Sequence, residues 1–379
     1  MSIVKGIFRG VLILVILAAL YVISVILYGQ FTDYTPPPTT VLKIEGAPGQ
    51  VHSRDTLSFL IWNLGYAGLG EESDFFMSGG DMVRPSEEIS KKNFAGIRTI
   101  VQGLADQTDF FLLQEVDKDA ARSYHVDHAR ELQLGVSGFQ GYFGTNYQVG
   151  FVPVPFFEPY GKVHSGLWSM TRTTPTEATR YAFEGNYTWP TKLFHLDRCF
   201  LLTRYALDSI NKDLVIINTH NSAYDDGTLK AAQMEQLKEV LLAEYEKGNY
   251  VLVGGDWNQY PPGFTGVGKF KIPEIDYLSQ VFVPEEYPAA GWEWVWDPTV
   301  ATNRSVSKPY DSFETSRFII DYYLTSPNIE IIEVKGMDLD FEYSDHQPVR
   351  LSIRLKDIVT SLKIECIEGL SENYFLNTQ

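Results

Sequence analysis

Between residues 54 and 356, short runs of apolar residues alternate with longer segments whose apolar positions recur every three to four residues. Leu57 to Trp62, Phe110 to Val116, Leu214 to Asn218 and Tyr250 to Val253 are short apolar runs, and they predict buried strands. Phe94, Ile97, Val101 and Leu104 recur at helical spacing and predict an amphipathic helix. A second helix is expected from a Thr228 cap to about Lys247, with Leu237, Val240, Leu241 and Tyr245 inward and Gly248 as its stop. RFIIDYYL (317–324) and VRLSIRL (349–355) read as further strands, the first holding Asp321 in its interior. Residues 138–165, rich in glycine, proline and aromatics, predict a long hairpin loop followed by the strand GLWSM. Phe151, Phe156, Phe157 and Tyr160 are expected to pack; an exposed loop would dip into a membrane or cover a substrate. Trp292, Trp294 and Trp296 share one face at period two and are expected to bury against a sheet, a stacking surface being the sharper alternative.

The N-terminus has a different pattern. Val11 to Tyr28 is apolar except for Ser24, and as a helix it spans ~27 Å, close to the hydrocarbon thickness of a bilayer. Lys5 and Arg9 precede it and no basic residue comes after it until Lys43, which puts the N-terminus in the cytoplasm and the rest outside. An uncleaved anchor (1–30) is preferred to a cleaved signal peptide because no small-x-small site closes the run before Gln30. A proline-containing stalk without a fold of its own (31–53), a catalytic domain (54–356) and a peripheral tail (357–379) complete the expected organisation.

With 44% hydrophobic and 14% aromatic residues, the chain can bury a large core, which excludes general disorder. Residues 1–53 carry Lys5, Arg9 and Lys43 against Asp33 and Glu45, so the formal charge of −17 is concentrated in the chain beyond residue 53. No Lys/Arg run offers a phosphate-backbone track, although a bound cation would reverse the sign locally. Cys199 and Cys366 form neither a disulfide framework nor a zinc cluster; one bridge or two unpaired thiols are the alternatives.

The predicted strands end in chemistry. Asn63, Glu115, His220, Asp256, Asn258, Asp345 and His346 lie at or beside strand ends, with Asp321 among apolar neighbours where a carboxylate needs a partner such as a histidine. Asp256 and Asn258, two apart, can converge on one atom. Oxygen ligands from Glu115, with Asn63 or Asp345, suit octahedral Mg²⁺ or Mn²⁺, and imidazoles handle protons. His125 and His128, spaced i, i+3, lack a third ligand at metal-site spacing and read as a solvated helix surface.

The ordered motifs WN, QE, NTH, GDWN, IDYYL and SDH resemble the endonuclease/exonuclease/phosphatase, or deoxyribonuclease I-like, family over roughly residues 54–356. The resemblance implies an α/β fold: a four-layer sandwich of two mixed, largely antiparallel sheets flanked by helices, preceded here by the transmembrane helix. It implies a metal-dependent phosphoesterase in which Glu115 holds the metal with Asn63 and Asp345. Asp256 would orient or deprotonate water, Asn258 would hold phosphate, Asp321 and His346 would form a dyad, and His220 would stabilise developing charge or protonate the leaving oxygen. His164 is kept as a candidate substrate contact. IDYYL lacks the Cys-Asp-Arg pattern of inositol polyphosphate 5-phosphatases, and His220 makes the chain more similar to nuclease or sphingomyelinase branches than to abasic-site endonucleases. The expected substrate is a phosphodiester, nucleic acid or lipid head group, and the expected state a membrane-tethered monomer. An extracytoplasmic phosphomonoesterase and a non-catalytic surface binding module are the alternatives.

Overall fold

The computed structural model describes residues 2–223, 227–264 and 283–356. Its strands are β1 (Thr39–Val41), β2 (Gln50–Val51), β3 (Leu57–Asn63), β4 (Phe110–Asp117), β5 (Gln140–Val152), β6 (Gly161–Thr171), β7 (Glu177–Ala182), β8 (Cys199–Leu207), β9 (Asp213–His220), β10 (Tyr250–Asp256), β11 (Glu293–Val295), β12 (Asn303–Arg304), β13 (Arg317–Phe318), β14 (Asp321–Thr325), β15 (Ile329–Gly336) and β16 (Val349–Leu355). The helices are α1 (Ser2–Thr32), α2 (Glu87–Leu104), α3 (His128–Gly135) and α4 (Thr228–Glu246).

One mixed sheet runs β1-β7-β8-β9-β10-β14-β11 with β2 alongside β8, and a second runs β15-β16-β3-β4-β6-β5. Alternation along each strand divides the core. Phe59 and Ile61 of β3 join Phe110, Leu112, Ile216, Leu252 and Leu351 between the sheets. Leu60 and Trp62 belong instead to the cluster with Ile97 and Val101 of α2 and Leu132 of α3. On the opposite flank, Val215, Ile217, Val251 and Val253 meet Leu237 and Leu241 of α4. The result is the expected four-layer α/β sandwich of two mixed sheets flanked by helices.

The topology decides where polar strand ends go. β3 and β4 are parallel neighbours in one sheet, and β9 and β10 are parallel neighbours in the other. Parallel neighbours need a crossover, which α2 and α4 provide, so Asn63 stands near Glu115 and His220 beside Asp256. β14 and β16 run antiparallel to β10 and β3, so their N-terminal ends, with Asp321 and the turn holding His346, arrive at the same rim.

Gly254 and Gly255, a pair that in sequence suggests a sharp turn after Val253, instead continue β10 to Asp256. A Cβ on Gly254 would meet Ile61 at 2.7 Å, and one on Gly255, at φ +150°, would meet the Thr219 carbonyl at 2.0 Å. Glycine here permits close approach of strand to strand and of sheet to sheet.

Other expectations are corrected by pairing. Residues 138–165 are mostly the hairpin β5–β6, and only 153–160 form its loop, with Tyr160 buried and Phe157 96% exposed. RFIIDYYL divides into β13 and β14, so Asp321 opens a strand instead of lying inside one. The segment expected to be an unstructured stalk contributes β1 and β2 as additions to a sheet. His128 is buried and stacked on Phe94 at 4.1 Å, not solvated, whereas His125 is exposed and pairs with Asp119. The tryptophans pack as expected: Trp292 on Tyr245, Trp294 on Trp257 and Trp296 on Phe264. Cys199 is a buried free thiol; Cys366 and the tail from 357 lie outside the described residues.

α1 is long and apolar enough to cross a membrane. At the far flank, Arg204 of β8 binds both oxygens of Glu244 in α4 (2.7 and 3.0 Å) and also Glu177 (3.0 Å), while Asn249 and Lys247 each reach Glu244 at 2.7 Å. Burial opposes ionisation of Glu244, but these donors outweigh it and bring its pKa down to about 2. A depressed carboxyl pKa stabilises the fold above the ordinary value and loses that contribution as pH falls toward the folded value. Glu244→Gln is therefore expected to lose ~1–2 kcal/mol at pH 7. Its urea midpoint should also vary less than that of the parent between pH 5 and pH 2.5.

Candidate active site

The rim carries a cavity of about 290 Å³ lined by Glu115, His220, Asp256, Asn258, Asp345 and His346. Asn63 and Asp321 stand behind these residues and hydrogen-bond to them. Folding thus brings all eight predicted residues together.

Asp256 is the hub. Its Oδ2 accepts from Asn63 Nδ2 (2.9 Å) and lies 3.4 Å from His220 Nε2 and 3.8 Å from His346 Nε2. Its Oδ1 accepts the Asn258 N–H at 2.9 Å, which curls the chain after β10 and puts Asn258 at φ 49°. Asn258 Nδ2 in turn donates to the Asn221 carbonyl. Burial, and then the charge of Asp321, raise Asp256 to about 6, against the pull of His346 and Asn63.

His346 is fixed from several directions. Its Nδ1–H donates to Asp321 Oδ2 at 2.8 Å, its backbone N–H donates to Ser344 Oγ, and its carbonyl accepts from the Trp62 indole at 2.9 Å. Burial works against the charged ring, yet Asp321, Asp345 and Asp256 more than offset it and hold His346 at about 10. His220 is the opposite case: burial, with Arg198 and His346 nearby, drives its pKa far down and keeps it neutral. Two imidazoles in one cavity are held in different protonation states, a pairing suited to acid–base work.

Glu115 is aimed by strain. The β4–β6 register shifts between Leu113 and Val116, and Glu115 in that bulge has φ 52°. A bulge re-aims a side chain, and left-handed backbone is unfavourable for glutamate. Asp345 approaches from the other side, within 2.6 Å of where a Cβ on Gly65 would stand, so only glycine leaves it room. Burial and the charge of Glu115 raise Asp345 to about 6, with His346 and Arg304 opposing.

No family model matches this sequence, and no curated protein matches it. Its structure does have counterparts. An endonuclease/exonuclease/phosphatase from Beutenbergia cavernae is 17% identical, with a TM-score of 0.54 over 80% of this chain and 72% of the other. ANGEL2, described as a 2′,3′-cyclic phosphatase in complex with adenosine-2′,3′-vanadate, is 14% identical, with a TM-score of 0.52 over 85% of this chain and all of the other. The fold is that of the endonuclease/exonuclease/phosphatase proteins.

Within this endonuclease/exonuclease/phosphatase fold, the oxygen donors open to a cation are narrower than the sequence implied. Asn63 Oδ1 accepts the Gly65 N–H at 3.0 Å, so its Nδ2 faces the acids and hydrogen-bonds to them; of the carboxylates that line the cavity, Asp256 already accepts from Asn63 and the Asn258 N–H, which leaves Glu115 and Asp345. Donor atoms of Asp256, Asp321 and His346 also lie within 4.8 Å of one another. That group is an acid–imidazole network first, because Asp321 is already engaged by His346, whose ring is held toward its charged form. His164 does not line the cavity: it contacts Thr145 at 3.2 Å and the edge of Phe143.

Sequence reasoning missed Arg198 and Asn303. Arg198 lines the cavity beside His220, to whose carbonyl it donates at 3.4 Å, and Asn303 brings its amide nitrogen 2.9 Å from His346 Nε2. Arg198 had one signal, a basic residue directly before an apolar strand; Asn303 had none.

The strain at Glu115 is measurable. Glu115→Asn, which tolerates left-handed backbone and removes one of the crowded charges, should stabilise the metal-free protein by ~1 kcal/mol. Urea unfolding in EDTA reads this directly; an unchanged or lower midpoint contradicts it.

Proposed function

We propose that the chain is a membrane-anchored, divalent-metal-dependent phosphoesterase that hydrolyses a phosphodiester by attack of water. The observation that carries this reading is the environment of Asp256 Oδ2, which has an amide and two imidazoles of different charge state within 3.8 Å. A fold alone does not assign chemistry; the placement of these side chains does.

The donor set supports a hard cation. Glu115, Asp345, Asp256 and Asp321 crowd one rim, with Asp256 held at about 6 by burial and the charge of Asp321 and Asp345 held there by burial and the charge of Glu115, an arrangement that a Mg²⁺ or Mn²⁺ ion would relieve. Glu115 and Asp345 are the residues that would hold it. When bound, such an ion polarises a phosphoryl oxygen and lowers the pKa of the neighbouring imidazolium.

The remaining roles come from charge and position. Arg198 and Asn258 line the cavity and offer donors to phosphate oxygens. Asp256, whose pKa is raised to about 6 by burial and the charge of Asp321, presents a carboxylate that orients a water molecule and accepts its proton as the water oxygen bonds to phosphorus. Asp321 holds His346 by Nδ1, leaving Nε2 directed at Asp256 and the cavity, where it stabilises the developing charge. His220, neutral, hydrogen-bonds the departing ester oxygen through Nε2–H as the P–O bond breaks, and the proton with which that oxygen leaves as an alcohol comes from the charged His346 ring. α1, with Lys5 and Arg9 at its start, is the anchor that leaves this domain outside the cytoplasm.

Hydrolysis of bis-p-nitrophenyl phosphate should require Mg²⁺ or Mn²⁺ and be abolished by EDTA. His346→Ala should lose at least ~100-fold in kcat, in the range expected for removing an electrostatic or acid–base group, with an unaltered far-UV spectrum. Full activity in EDTA, or in a folded His346→Ala protein, rejects the proposal.

A further inference from the structure

Among the described residues beyond α1, the loop 153–160 is the most exposed apolar feature. Phe157 is 96% exposed, Phe156 61% and Val154 49%, in a segment whose single acid, Glu158, pairs with Arg84 at 3.7 Å. Soluble surfaces seldom present such residues together without a partner.

Its position relative to α1 identifies that partner. Three consecutive residues at the C-terminal end of α1 rest on the domain. Tyr28 Oη lies 2.7 Å from a Cβ position on Gly150, a Cβ on Gly29 would stand 3.1 Å from the Phe194 ring, and Gln30 Oε1 accepts from the Trp189 indole at 3.2 Å. The loop then extends back along the helix. Phe156 meets Tyr21 edge-to-face at 5.3 Å, and Phe157 packs on Phe156 at 5.1 Å. Tyr21 precedes Tyr28 by seven residues, so the contact lies ~10 Å along the axis from the end of the apolar run. If α1 crosses a bilayer, Phe156 and Phe157 are inside it. Trp189, 58% exposed and level with Gln30, then falls where indoles collect at the membrane–water boundary.

The active-site cavity adjoins this face. Val152, Val154, Met77 and Phe194 form part of its wall, and Phe194 is the residue that touches α1. Apolar wall thus runs from the loop that lies along α1 to the rim where Glu115 and His346 face the cavity.

The geometry points to a docking surface for the bilayer that α1 crosses: the loop tip inserts beside the helix and holds the cavity over the lipid surface, so that the substrate is a phosphoester of a membrane lipid. Its phosphate reaches the polar rim while its apolar body stays along Val152, Val154 and Phe194. The substrate class rests on the phosphoesterase reading above; the insertion does not.

The test uses the full chain in nanodiscs of phosphatidylcholine, phosphatidylglycerol, phosphatidylinositol and sphingomyelin. An NBD fluorophore is placed by Phe157→Cys or, as a solvent control, by Asp106→Cys, both on a Cys366→Ser background, Cys199 being buried. A lipid carrying a nitroxide deep in its acyl chain should quench the label at 157 at least threefold more than that at 106. Equal quenching overturns the insertion. In a second arm, Phe156→Ser/Phe157→Ser should hydrolyse bis-p-nitrophenyl phosphate within twofold of the parent, while head-group release from the nanodisc falls at least tenfold. A parent that cleaves the soluble diester but releases no head group, or a double variant that releases it undiminished, overturns the lipid assignment. A parent inactive on both substrates removes the phosphoesterase reading and the lipid assignment with it, while the quenching still decides insertion.

Discussion

Four carboxylates and two imidazoles share one rim of the sandwich, and much of the local architecture compensates for placing them in low dielectric. Burial first, and then the charges of Asp321 and Glu115, lift Asp256 and Asp345 to about 6. Asp321 is balanced by His346 at 2.8 Å. Burial opposes the charged form of both imidazoles, but the acids around His346 outweigh it and drive that ring toward its charged form, while at His220 Arg198 adds to it and the ring stays neutral. The site's protonation pattern is a consequence of that balance.

Holding such a set together takes backbone devices that weaken a sheet elsewhere. A bulge with a left-handed glutamate interrupts β4, glycine leaves space at 65, 254 and 255, and Trp62 ties the His346 turn to the end of β3. None of these maximises the stability of a strand. Each brings a side chain or a carbonyl to within hydrogen-bonding range of the rim, while the opposite flank is secured by the network around Arg204.

The attachment of α1 gives this rim an orientation. Contacts at Tyr28, Gly29 and Gln30 seat the helix end against β5, Phe194 and Trp189, so the cavity and the exposed phenylalanines have a defined relation to the helix axis. A tether through a free linker would have left that relation open. The short strands β1 and β2, which add the residues after α1 to the sheet, work in the same direction.

Hydrophobic periodicity was enough to identify the main strands, the two long helices and the apolar N-terminal run, because burial of one face is written into residue spacing. It was also enough to single out eight polar residues, since a charged or amide side chain closing an apolar strand is conspicuous in a linear chain. Pairing partners are not so written. Whether Gly254 and Gly255 turn or continue, whether residues 138–165 loop or form a hairpin, and whether His128 faces water or Phe94 depend on neighbours distant in sequence. Arg198 and Asn303 were missed for the same reason, being defined by proximity to His220 and His346, with only the place of Arg198 before an apolar strand as a local signal. Sequence determined which polar residues close the apolar strands; tertiary structure decided that they meet at one rim, their charge states and the direction in which the cavity faces, because all three are set by distances between segments that only folding brings together.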